Sequence, residues 1–252
     1  IFNAADMSVA FSDLAGMFGL AGVPVSSAEF VYYLRSYLLV IVIAIIGVVV
    51  GLLGVDAFNQ YVLMSLPIIV RMVLMIVTYF LIAVVPFGIV IFNKDKWTDF
   101  GFSKEKLGTQ VLIGLLIALC MSFVFTVIPH LAGKSDWANN QHQYQYMWQF
   151  IYDFVYFIFS VALVEEFVFC GFFYKKFETL FGSTVGAIIG SSVLFGLSHF
   201  SGGNIVQILL TGIIGTIFCI CRVKIKDCTL LSVIIAHGVY DALITVWLNV
   251  FA

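Results

Sequence analysis

The stretch that decides the fold runs from Val161 to Gly171 and reads V-A-L-V-E-E-F-V-F-C-G. Glu165 and Glu166 stand side by side in a long run that is otherwise almost wholly apolar and aromatic. A charged carboxylate at the centre of a bilayer costs about 2.5–3.5 kcal/mol even on insertion scales, so an intramembrane glutamate reads as functional by default. Two adjacent carboxylates cannot both ionise cheaply in a low dielectric. Either one holds a proton or the pair finds a cationic or metal partner. The rest of the chain is read as a search for that partner.

Composition says that the run lies in a membrane. The 252 residues are 62% hydrophobic and 10% charged, with a mean hydropathy of +1.11. A soluble domain carries about 25% charged residues, and a chain of this size still needs a polar exterior. The fold class is therefore all-α, a polytopic membrane helix bundle. The net charge of −2 says nothing about partners, but there is no basic patch for nucleic acid, so none is expected as a partner. Cys120, Cys170, Cys219, Cys221 and Cys228 follow neither a disulfide framework nor a zinc-ribbon spacing, and read as small apolar fillers. The chain starts at Ile1 with no basic segment before a short apolar one. No signal peptide is read, and a fragment or processed product is expected.

Outward from the glutamates, seven spans are predicted, each near the length of about 20 residues that a bilayer needs. The glutamates sit in the fourth, 148–174, closed by Lys175 and Lys176. Upstream are 37–55, 67–92 (kinked near Pro86, with Arg71 snorkelling) and 107–128. Downstream are 184–200, 205–221 and 230–251. Residues 1–54 read as an N-terminal segment, an amphipathic helix within 8–17 plus the first span, whose origin, shared with the rest or different, the sequence leaves open. Residues 55–252 read as the main membrane domain.

Lysine and arginine alternate along the chain. The 93–106 loop has four, 175–183 two and 222–228 three; the loops between have one, Lys134, and none. Basic loops stay in the cytoplasm, so the amino end is expected inside. Asp153 reads as an interfacial or helix-start residue, and His130 and His142 as solvated in a polar outer loop. The aromatics of 145–174 read as lipid-facing and interfacial packing rather than a ligand box.

Three polar features recur in the last four spans: Glu165-Glu166, then F-G-L-S-H ending at His199, then H-G-V-Y-D from His237 to Asp241, with Asn204 nearby. His237 and Asp241, four apart, share a helix face. Ser198 precedes His199 and points about 100° away from it on a regular helix, so no serine–histidine pair is read. Carboxylates and imidazoles facing one interior are how a bundle builds an acid–base or metal site. The chemistry they permit is hydrolysis: a carboxylate takes a proton from water, and histidine positions that water or holds a metal that acidifies it. A second histidine with its carboxylate stabilises an oxyanion. One tension remains. At 1.5 Å per residue the motifs come out about 10–15 Å apart in depth. Either the fifth span is short or tilted, or 200–204 turns back into the protein.

In this order, E-E-F-V-F-C-G, F-G-L-S-H and H-G-V-Y-D resemble the three motifs of the CPBP intramembrane proteases. That family holds the type II CAAX prenyl endopeptidases and the bacteriocin-processing and self-immunity proteins called Abi. D-F-G-F-S-K-E-K-L, ahead of the third span, is similar to the family's usual lead-in, and the resemblance covers residues 55–252. It implies an intramembrane endopeptidase in a bacterial cytoplasmic membrane, cleaving a peptide or membrane-anchored protein near the cytoplasmic face. Glu165 would activate water, helped by His199. His237 and Asp241 would stabilise the oxyanion or complete a metal site, and Glu166 would be a supporting carboxylate. A divalent metal, zinc in the first place, would be held by Glu165, His199 and His237. Partners would be membrane lipid and the peptide or protein substrate.

One departure stands out: Cys170 occupies the place of the family pattern's arginine, which removes a cation one turn from the glutamates. A catalytically silent member acting as scaffold or immunity protein is the alternative. Secondary transport would use the carboxylates as a proton relay, without a visible inverted repeat. In the first fifty residues, M-F-G-L-A-G-V-P and Y-Y-L-R-S-Y resemble the tail of a membrane-bound O-acyltransferase, without its histidine.

Overall fold

The computed structural model describes residues 28–133, 144–202 and 205–251. The expectations for 8–17, His142 and Asn204 lie outside those residues, as does most of the stretch resembling an acyltransferase. The chain divides into Ile1–Val42 and Ile43–Ala252, and the packing described below is that of the second unit.

Among the described residues the protein is all-α, and seven helical stretches are long and apolar enough to cross a membrane. They are Tyr37–Ser65, Ile68–Asn93, Leu107–Leu131, Met147–Phe181, Thr184–Ser201, Ile205–Lys224 and Leu230–Phe251. This is an integral membrane protein. Its outer surface is apolar: Val50, Ile69, Phe92 and Ile205 are exposed, as expected of helices whose solvent is lipid. In the second span the helix tightens to a 3-10 turn over Phe80–Ala83, just before Pro86, which cannot donate to the carbonyl four residues back.

The fourth span differs most from its prediction. It runs to Phe181 rather than Tyr174 and ends where Gly182 turns left-handed at φ 60°, a conformation glycine adopts without a Cβ penalty. Two π-helical stretches, Phe157–Ala162 and Phe167–Phe173, bracket Leu163–Glu166. Such widened turns recur at functional sites.

The longer helix removes the expected depth mismatch. Glu165 is 181 − 165 = 16 residues from Phe181, and His199 is 199 − 184 = 15 residues from Thr184. At 1.5 Å per residue these are about 24 Å and about 22 Å, so both groups come to one level of the hairpin. His199 then starts a 3-10 turn, His199–Gly202, that ends the fifth span.

Glycines set the closest helix approaches. A Cβ on Gly238 would fall 2.5 Å from Ile158 Cα, and one on Gly196 2.6 Å from the Ile208 carbonyl oxygen. The first contact seats the seventh span against the first π stretch, and the second joins the fifth and sixth spans. The three basic loops gather at one end of the bundle. Lys106 pairs with Asp227 at 2.9 Å, Lys176 with Asp95 at 3.0 Å, and the Leu230 amide donates to the Gly101 carbonyl at 2.9 Å. The turn bearing His199 lies at the other end.

Several local expectations are corrected. Asp153 is buried rather than interfacial and accepts from the Tyr144 hydroxyl at 2.8 Å. Burial, and then that hydrogen bond, push the Tyr144 phenol well above its usual range, so it remains a donor. His130 is half-buried, its ring stacked on Phe251 at 4.5 Å. Phe167, Phe169, Phe172, Phe173 and Tyr174 are buried in the bundle rather than facing lipid.

Candidate active site

Consecutive residues on a helix diverge by about 100°, and the two glutamates use that divergence. Glu166 turns to the seventh span, where His237 Nδ1 lies 2.8 Å from its Oε1. Glu165 turns towards the second span, where its Oε1 accepts the Tyr79 hydroxyl. Its other oxygen, Oε2, is 3.8 Å from His237 Nε2. That oxygen is buried and has no hydrogen-bond partner among the described residues, a costly state for a polar atom unless something else is supplied to it. Glu165, Glu166 and His237 are all at most 6% exposed.

His237 is held on every side. Asp241 Oδ2 lies 3.3 Å from Nε2, the i,i+4 pairing expected from sequence. Carboxylate oxygens thus face both ring nitrogens. Its face stacks on Phe218 at 5.3 Å and Phe195 meets it edge-on at 5.8 Å. Removing one partner of such a buried pair typically costs about 3–5 kcal/mol, because it strands the other charge.

His199 is placed differently. Its Nδ1 is 2.9 Å from the Phe195 carbonyl oxygen. A carbonyl only accepts, so Nδ1 carries the hydrogen and Nε2 of the neutral ring is left as an acceptor. Ser198 was expected to point away, yet its Oγ is 3.3 Å from His199 Nδ1 and also donates to Phe195 O at 2.7 Å. The reason is that the helix ends here, and regular α geometry no longer separates neighbours. The Phe195 ring packs against both imidazoles, 5.0 Å from His199 and 5.8 Å from His237.

A cavity of about 170 Å³ is lined by Asp56, Tyr79, Glu165, His199, Ser201 and Gln207, among others. Glu166, His237 and Asp241 are not among its lining residues. The site thus has a front, Glu165 with His199 and Tyr79, and a back, Glu166 with His237 and Asp241. Beside the cavity lies an apolar groove of about 310 Å³ that shares Leu52, Ser198 and Ser201 with it and is lined further by Leu53, Phe169 and Phe173.

The zinc set expected from the resemblance does not fit this arrangement. Among the described residues no three His, Cys, Asp or Glu side chains gather to hold a metal ion. His237 gives both nitrogens to carboxylates, while His199 opens onto the cavity.

Residues 147–243 match the family model described as Type II CAAX prenyl endopeptidase Rce1-like. Over these residues the chain is similar to that family. The matched segment begins at the start of the fourth span, takes in all three motifs and ends two residues after Asp241. No curated protein and no solved structure matches the chain.

Two residues of the site carried no readable signal. Tyr79 is one tyrosine in an apolar span, 86 residues before its partner Glu165. Arg222 read only as part of a basic loop, yet its Nη1 donates to the Cys170 carbonyl and lies 3.9 Å from the Cys170 sulfur.

Proposed function

We propose that the protein hydrolyses a peptide bond within the membrane, with Glu165 as the base that activates water. The observation that carries this reading is Glu165 itself, which lines a cavity with His199 and has a buried oxygen, Oε2, without a hydrogen-bond partner among the described residues. Glu165 Oε2 and His199 Nε2 are both acceptors, and a water between them gives one hydrogen to each. Its oxygen attacks the peptide carbonyl carbon as its proton passes to Glu165. The carbonyl electrons move to oxygen, and the Gln207 amide, on the same wall, donates to that oxyanion. Collapse breaks the C–N bond, and the Glu165 carboxyl returns its proton to the leaving amine. Tyr79 fixes the other Glu165 oxygen. His237 and Asp241 take a positioning role in this reading, in place of the expected oxyanion role, and Glu166 works with them.

The substrate is a peptide with an apolar anchor. The groove beside the cavity suits such a chain, and the family's name points to a prenylated peptide. Ser201 and Gln207, which line the cavity at the end away from the basic loops, support an entrance there. Basic loops favour the cytoplasm, so this reading moves the entrance from the expected cytoplasmic face to the opposite one. The test is cleavage by purified protein in liposomes of one peptide in two forms, with and without an apolar anchor. The anchored form is cut, and the free form much more slowly. If neither form is cut, the reading is wrong.

A further inference from the structure

We infer that Arg222 is a positioning residue for the glutamate pair, bringing from the sixth span the cation that position 170 lacks. Its effect on cleavage rests on the protease reading; its coupling to the glutamates does not. Arg222 lies in the last turn of Ile205–Lys224, and its guanidinium is threaded among three elements. Nη1 donates to the Cys170 carbonyl in the second π stretch and lies 3.9 Å from the Cys170 sulfur. The guanidinium carbon sits 4.7 Å over the Tyr174 ring. At Gly101, whose φ of +94° strains any side chain, a Cβ would fall 2.7 Å from Arg222 Nε and 2.9 Å from Cζ, so the guanidinium would have to shift.

This point of contact is one turn from Glu166. Glu166, Cys170 and Cys219 line a single small cavity, and Arg222 follows Cys219 by three residues, on the same helix face. The groups facing Glu166 are few. Glu165 adjoins it on its own helix, the fifth span offers only the hydroxyls of Ser191 and Ser192, and the seventh offers His237, itself shared with Asp241. The sixth offers the Cys219 thiol and, one turn on, Arg222, which reaches the Cys170 carbonyl and sulfur beside the cavity that Glu166 lines. Three carboxylates around one imidazole need a second cation if the pair is to hold charge in a low dielectric. The small side chain at 170 and the long one at 222 are complementary: an arginine at 170 would claim the space that Arg222 fills.

A packing role would give the same contacts, so the test measures coupling. Thermal unfolding is recorded for the wild type, Arg222→Gln, Glu166→Gln and the double variant. Arg222→Gln lowers the melting temperature by about 4 °C or more where Glu166 is present, and by less than half as much in the Glu166→Gln background. Equal losses in both backgrounds overturn the inference. Arg222→Lys keeps the charge and recovers part of the loss.

The relocation itself is tested by the exchange Cys170→Arg with Arg222→Cys, which restores the stability that Arg222→Cys alone loses. Cys170→Arg alone crowds two guanidinium groups and is less stable than wild type. An exchange no better than Arg222→Cys contradicts the inference. If the wild type cuts no reporter peptide, the protease reading fails while the thermal cycle still decides the role of Arg222.

Discussion

Glu165→Gln lowers the rate of reporter cleavage by about 10²–10⁴-fold, the span general-base catalysis contributes, while the protein stays folded. Glutamine keeps the shape and one carbonyl oxygen, which still accepts from Tyr79 as Glu165 Oε1 does. What it loses is the ability to take a proton from water at the position of Oε2. A melting temperature close to wild type, together with the loss in kcat/KM, identifies a chemical rather than a structural defect. Tyr79→Phe removes only the hydroxyl on the other oxygen and costs much less. Glu166→Gln acts instead through His237, so its effect appears in stability first. A loss below about tenfold for Glu165→Gln would move the base to another cavity residue, with His199 next in line.

Gly238→Ala is expected to impair stability and cleavage together. The added Cβ would lie 2.5 Å from Ile158 Cα and 2.7 Å from Ile158 N. Both are backbone atoms, so no rotamer change relieves the clash and the seventh span must move off the fourth. Overpacking of this kind costs about 1–3 kcal/mol, which for a chain of this size is a fall of roughly 2–12 °C in melting temperature. The residue before Gly238 is His237, whose 2.8 Å contact with Glu166 crosses the same interface. A shift of about 1 Å in a catalytic constellation can cost about 10²-fold in rate. Gly54→Ala, where nothing lies within 4 Å of the new atom, leaves both quantities unchanged. Equal behaviour of the two variants would show that the close approach does not position the site.

Hydropathy made the seven spans legible, because a bilayer demands long apolar helices whatever the tertiary fold. It could not say which apolar face turns inward. For that reason the aromatics from Phe167 to Tyr174 read as lipid-facing, while the structure buries them. The last turns of the fourth helix, K-K-F-E-T-L-F, are amphipathic, so the apolar run ends before the helix does. Stopping at Tyr174 produced a depth mismatch that the added turns remove. The π stretches were unreadable, since a side-chain pattern is counted against a 3.6-residue period. Without them the facing of Glu165 and Cys170 could only be approximate.

The glutamates, His199, His237 and Asp241 were legible as candidates because isolated polar groups are expensive in lipid. Their division into front and back was not, because it depends on which partners the other helices bring. Tyr79 and Arg222 belong to that same class of tertiary information.

The central claim is that water, activated by Glu165, cuts the peptide bond. The measurement that tests it most directly is a single turnover of the anchored reporter in water enriched in oxygen-18, followed by mass spectrometry of the product and of the Glu165 peptide. The account predicts one heavy oxygen in the new carboxylate in the first turnover and none in Glu165. An unlabelled product, or a label found in the Glu165 side chain, would mean that the carboxylate itself attacks the substrate, and would contradict it.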